Sequence, residues 1–148
     1  MADNASVVIQ ATVLPDEIQK TFSSTTTVTP ADGTEKWYYK LTSVGNTSDV
    51  LMAGYFTDYT AVNSSTAPTA VVGTDKVLFL FVKNTDAAET VYITLDAGVV
   101  TSSTGDALVL GPNESLAIRC PNTTVADITA ISSAGTVECL VAALIDDI

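Results

Sequence analysis

Short apolar segments separated by turn residues fill the second half of this chain. Residues 90–96 alternate, with Val91, Ile93 and Leu95 set against Tyr92, Thr94 and Asp96, and residues 115–120 alternate in the same way. A period of two sends successive side chains to opposite faces of a strand. Residues 76–83 (KVLFLFVK) form a nearly continuous apolar run, and residues 136–144 close the series. Turn chemistry fills the gaps, at Asn84-Thr85-Asp86, Ala97-Gly98, Gly111-Pro112-Asn113 and Ala134-Gly135. Several short strands at this spacing predict an all-β fold.

The first half reads less regularly. Residues 6–14 are expected to be a strand stopped by Pro15, and residues 16–20 a helical turn or a loop. Residues 22–28, rich in serine and threonine, read as an edge strand ending before the turn signal Pro30-Ala31-Asp32-Gly33. Glu35–Val44 is a strand with Trp37, Tyr39 and Leu41 on one face and Tyr38 on the other. Core packing is the expectation for Trp37 and Tyr39, because large aromatic rings usually bury. Residues 50–57 are a further strand, and 58–74 a long loop. No apolar 3.6-residue period runs over eleven positions, so little or no helix is expected. The whole pattern predicts a single domain, 1–148, folded as an antiparallel β-sandwich, jelly-roll-like, with about eight strands. Residues 1–5 are expected to be an extended N-terminal arm or a frayed end.

Residues 77–82 do not alternate. Val77, Phe79 and Phe81 fill one face while Leu78, Leu80 and Val82 fill the other, so both faces need cover. Two sources are open: a loop of the same chain, such as 58–74, or a subunit interface. Trp37, Tyr38, Tyr39, Tyr55, Phe56 and Tyr59 make a second concentration of interface-prone residue types. Trp37, Tyr38, Tyr55, Phe56 and Tyr59, with Leu78 and Leu80, are the candidate interface residues.

Composition narrows the function. The formal net charge is −11, from 17 acidic and 6 basic residues. Nucleic acid and anionic membranes are bound through clustered Lys and Arg, so neither is expected as a partner. There is no basic region leading into an apolar stretch at the start, so synthesis and folding in a cytoplasm are expected. Cys120 and Cys139 lie in phase with apolar neighbours and are expected to be buried free thiols.

The chain holds no histidine, which removes Ser-His-Asp, Cys-His and His-metal arrangements and leaves zinc without enough ligands. No phosphate loop, dinucleotide fingerprint or calcium-loop spacing occurs. The paired acids Asp16-Glu17 and Asp146-Asp147 read as solvated surface. Five asparagines (Asn4, Asn46, Asn63, Asn113 and Asn122) begin Asn-x-Ser/Thr tripeptides, which a chain this rich in serine and threonine produces at turns. No catalytic residue, cofactor or metal is expected.

The stretch Phe81-Val82-Lys83-Asn84-Thr85, then residues 91–96, then Leu108-Val109-Leu110-Gly111-Pro112-Asn113-Glu114-Ser115-Leu116, resembles small structural proteins of tailed bacteriophages. The likeness covers residues 76–145. It implies a non-enzymatic virion role, foremost a capsid decoration or cement protein. Such a protein would form a dimer or trimer, bind the major capsid protein across neighbouring subunits and sit on the capsid surface. The alternative is a tail-fibre or baseplate module that binds host glycan through exposed Trp or Tyr rings.

Overall fold

The computed structural model describes residues 5–13, 20–29, 35–52, 70–102, 105 and 107–146. Among them are ten strands: β1 (Ala5–Val13), β2 (Lys20–Val28), β3 (Glu35–Val44), β4 (Asp49–Val50), β5 (Lys76–Asn84), β6 (Val91–Thr94), β7 (Leu108–Leu110), β8 (Ser115–Thr124), β9 (Thr129–Ser132) and β10 (Val137–Asp146). A single 3-10 turn, Val125–Asp127, joins β8 to β9. The fold is all-β, as the alternation of apolar and polar residues predicts.

Eight strands form two four-stranded sheets, ordered β3-β10-β5-β8 and β4-β9-β6-β7, and every pairing is antiparallel. Four of the pairs are nested. β6 pairs with β7, β5 with β8, β4 with β9 and β3 with β10. A long antiparallel ribbon folded across its own middle produces this order. The remaining strands, β1 and β2, pair only with each other as a two-stranded ribbon.

The sheets face each other across one apolar core. Tyr38 and Val44 of β3, Val77, Leu80 and Val82 of β5, and Val137, Cys139, Val141, Ala143 and Ile145 of β10 meet Val91, Ile93, Leu110 and Ala130 of the opposite sheet. Each fully buried branched side chain contributes about 1.5–3 kcal/mol. Thr94 and Thr129 are buried in the same layer, where their hydroxyls lie 2.9 Å apart and Thr129 also donates to the Gly98 carbonyl. Cys120 and Cys139 are free and buried. Loss of hydration pushes both thiols up to about 11, and the neighbouring Glu138 charge adds to the effect at Cys139.

The turns close on named side chains. Asn84, fully buried at the end of β5, donates from its amide to the carbonyls of Glu89, Gly111 and Leu110, and accepts from the Asp86 N–H. It thereby ties one sheet's strand end to the turn after β7 on the other. Asp86 accepts the N–H groups of Glu89 and Ala88, which hold its carboxyl below the usual range. Between β7 and β8, Pro112 and Asn113 take the central positions of a turn, with Asn113 at φ 61. That conformation suits asparagine after proline. Glu114 closes it by accepting the Gly111 N–H at 2.7 Å.

Three expectations need correction. Trp37, Tyr39 and Leu41 do share a face, but it is the outer one. Tyr39 is 61% exposed and Leu41 54%, whereas Tyr38 is buried in the core with its hydroxyl 3.2 Å from that of Thr42. Period two fixes which residues share a face and leaves open which face turns inward. Second, β5 does not keep one parity: Val77, Leu80 and Val82 all reach the core. The pairing slips between Val77 and Phe79, where β8 spends Cys120, Pro121 and Asn122 against Leu78 alone. Proline has no N–H for the ladder and is tolerated because β8 is an edge strand. Third, β7 and β9 were not expected as strands. β9 (TAIS) is only four residues long, too short to show a pattern.

Candidate assembly surface

The outward face of the β3-β10-β5-β8 sheet carries the candidate site. Cross-strand partners share a face, so the pairing register gives its rows directly. The first row runs Trp37, Leu144, Phe79, Arg119, and the second Tyr39, Ala142, Phe81, Ala117. The third runs Leu41, Leu140, Lys83, Ser115, and the next along β3 and β10 pairs Ser43 with Glu138. The first row is therefore apolar except for Arg119, the second throughout and the third in its β3–β10 half, on a surface turned away from the core.

The β1–β2 ribbon covers part of this face. Its base packs there, with buried Val28 and Leu144 gathering Val7, Trp37, Leu78 and Phe79 into a second, smaller apolar cluster. A groove lined by Val7, Ile9, Thr26 and Val28 on the ribbon and by Phe79, Ala117 and Arg119 on the sheet marks the seam. Thus the outer side of β5 is covered by an N-terminal hairpin of the same chain. The expectation left open a loop such as 58–74, of which 58–69 lie outside the described residues, or a subunit interface.

The register of the ribbon sorts its side chains. One face carries Val7, Ile9, Ala11 and Val13 opposite Thr26, Ser24, Phe22 and Lys20. The other carries Ser6, Val8, Gln10 and Thr12 opposite Thr27, Thr25, Ser23 and Thr21. The first is largely apolar and the second largely hydroxyl. Only the base of the apolar face is covered: Ile9 is 51% exposed, Val13 47% and Phe22 61%.

The candidate interface residues divide sharply. Tyr38 and Leu80 are core residues and present no surface. Trp37 and Leu78 lie half-buried beneath the ribbon base. Tyr55, Phe56 and Tyr59 lie outside the described residues, as do residues 1–4 of the expected N-terminal arm. Tyr39, one of the interface-prone aromatics but expected in the core, lies on this surface; the residues missed are Leu41 on the sheet, and Ile9, Val13 and Phe22 on the ribbon. Alternation in residues 5–13 was a usable signal for the ribbon, but without its pairing partner the apolar face could not be assembled.

Trp37, Tyr39 and Ala142 also outline a shallow notch on the outer face, floored by the small Ala142 between larger neighbours. The chemistry this surface offers is apolar contact and ring stacking. Comparison with family models, with curated proteins and with solved structures finds no match.

Proposed function

We propose that this chain is a non-enzymatic structural protein of a tailed-phage particle, a capsid decoration (cement) protein that binds across neighbouring major capsid subunits. The observation that carries the reading is the uncovered apolar outer face, with Tyr39 and Leu41 more than half exposed on the edge strand β3. Contiguous apolar surface of this kind marks a protein-binding face. The nested strand order supports reading the sandwich as a jelly roll, an architecture used by viral capsid domains and by lectins. The turn sequences of residues 76–145 supply the phage setting. A contact of modest apolar area, repeated over a shell, reinforces it through many weak holds. The test is the copy number of the chain in purified particles, by quantitative mass spectrometry against the major capsid protein. Hundreds of copies are expected, and absence from the particle ends the reading.

A second reading draws on one feature. Trp37 and Tyr39 point the same way beside the notch over Ala142, an arrangement on which a sugar ring could stack in a tail-fibre or baseplate module. Partial cover of Trp37 by the ribbon base weighs for the first reading. A dozen copies per particle, together with glycan binding lost in a folded Trp37→Ala variant, would reverse the order.

A further inference from the structure

We infer that the far half of the β1–β2 ribbon docks on the open β3–β10 half of the outer face of a second copy of this chain. This deepens the assembly reading, and rests on it for the premise that copies meet.

The argument begins with two incomplete surfaces of the same kind. On the ribbon, the apolar face is continuous from Val7 and Val28, which pack on sheet residues, to Phe22 and Val13, which pack on nothing described. On the sheet, the apolar face is continuous from Trp37 and Leu144, covered by the ribbon base, to half-buried Leu140 and to Tyr39 and Leu41, which it leaves exposed. The existing ribbon-to-sheet contact shows which chemistry the two faces satisfy. Each surface is the continuation of one half of it.

Charge selects the occupant. The two ribbon strands contain no carboxylate and one cation, Lys20, in a chain of net charge −11. Two copies repel through most of their surface, and the ribbon is the part that approaches an acidic body without penalty. The period-two pattern then sets a register. Along the ribbon's apolar face the pairs are Ile9 with Ser24, Ala11 with Phe22, and Val13 with Lys20. Along the outer face the β3–β10 pairs are Tyr39 with Ala142, Leu41 with Leu140, and Ser43 with Glu138. Both repeat every two residues, about 7 Å, so a ribbon laid along the strands superposes apolar on apolar twice and ends with a cation over a carboxylate. Glu138 is exposed and already held by the Ser43 hydroxyl, so its carboxylate is oriented before a partner arrives.

The test uses the purified full chain with no particle present, so its failure leaves the capsid reading intact and the converse also holds. Sedimentation velocity over micromolar concentrations should show self-association of the unaltered chain. Phe22→Asp should weaken it about 30-fold or more, the scale of an interface hot spot. Lys20→Glu and Glu138→Lys should each weaken it about tenfold, through like charges brought together. The double variant Lys20→Glu/Glu138→Lys should recover most of the loss. Unchanged melting temperatures for Lys20→Glu and Phe22→Asp, both at exposed positions, separate lost association from lost folding. A wild-type chain that stays monomeric, or a double variant no better than the singles, overturns the proposal. Loss of capsid binding by Phe22→Asp with self-association intact also overturns it, and assigns the ribbon to the capsid protein.

Discussion

The ribbon and the sandwich are made of strands of similar length and fare very differently. β2 and β5 are both nine residues long, yet β2 has one buried position, Val28, while β5 buries Val77, Leu80, Val82 and Asn84. β5 is paired on both sides, with β10 and β8, whereas β2 is paired on one side, with β1. Backbone pairing is one difference. The other is a second layer: β5 lies between a facing sheet and the ribbon base, whereas the far half of β2 faces nothing described. A two-stranded ribbon is marginal in water on its own. The sandwich stands on its packing, and the ribbon draws its order from what it lies on.

This contrast can be broken most forcefully in the core. Leu80→Ala removes a fully buried side chain from the centre of β5 and should cost about 3–4 kcal/mol, seen as a melting temperature lower by about 10 °C. Nearly as large is Asn84→Ala, which strips donors from three carbonyls at the joint between the sheets and should cost about 3 kcal/mol in a denaturant titration. Adjacent positions on β3 give a sharper comparison. Tyr38→Ala should destabilise by about 3 kcal/mol or more, while Tyr39→Ala should stay within about 1 kcal/mol. A larger cost for Tyr39→Ala than for Tyr38→Ala would mean that the face assignment of β3 is inverted. Hydrogen exchange should divide the chain likewise, with amides of residues 10–13 and 20–23 exchanging fast and those of β10 slowest.

The smallest effect concerns the thiols. Each keeps its proton up to about pH 11 in the folded state, whereas unfolded cysteines ionise near their ordinary value. The unfolded state thus binds fewer protons between those limits. Stability should fall as pH rises from about 9 to 11 and be indifferent to these groups below that window. A Cys120→Ser/Cys139→Ser variant should flatten that stretch of the pH–stability curve. At neutral pH, ionisation alone should slow alkylation of the native thiols about 100-fold, and unfolding should release both.

Period two carried most of the body. Val91, Ile93 and Leu95 are inward as the alternation requires, and β5, β8 and β10 stand where their apolar runs are. The same rule failed at β3, where parity was right and side was wrong. Residue type does not distinguish Trp37 and Tyr39 from Tyr38 as core residues; the opposite sheet makes the choice, and within β3 Tyr38 has a hydroxyl partner in Thr42. The slip in β5 was hidden for a related reason, because it lies in the register of Leu78 against both β10 and β8, strands remote in sequence. The assembly surface was half visible. The double-sided run of residues 77–82 announced a second cover, but the cover itself is a pairing of residues 5–13 with 20–28, each of which alone reads as an ordinary strand. A site made by register between distant segments leaves no motif at either one.

The nested strand order sets the timing of folding. β10 is central in its sheet, flanked by β3 and β5, and it is the last strand in chain order. The partners β3 and β10 begin about a hundred residues apart along the chain, so their pairing must wait for a large loop to close. Until residues 137–146 arrive, β5 has no neighbour on that side, and both faces of its apolar run stand open. The β1–β2 hairpin, by contrast, is local and closes in microseconds. During synthesis the ribbon, which precedes the sandwich strands in chain order, can be complete long before the sheet on which it rests. A newly made chain therefore passes through an interval in which its stickiest strand is unpaired and its hairpin is free, which makes the final ten described residues the step that ends its exposure to aggregation.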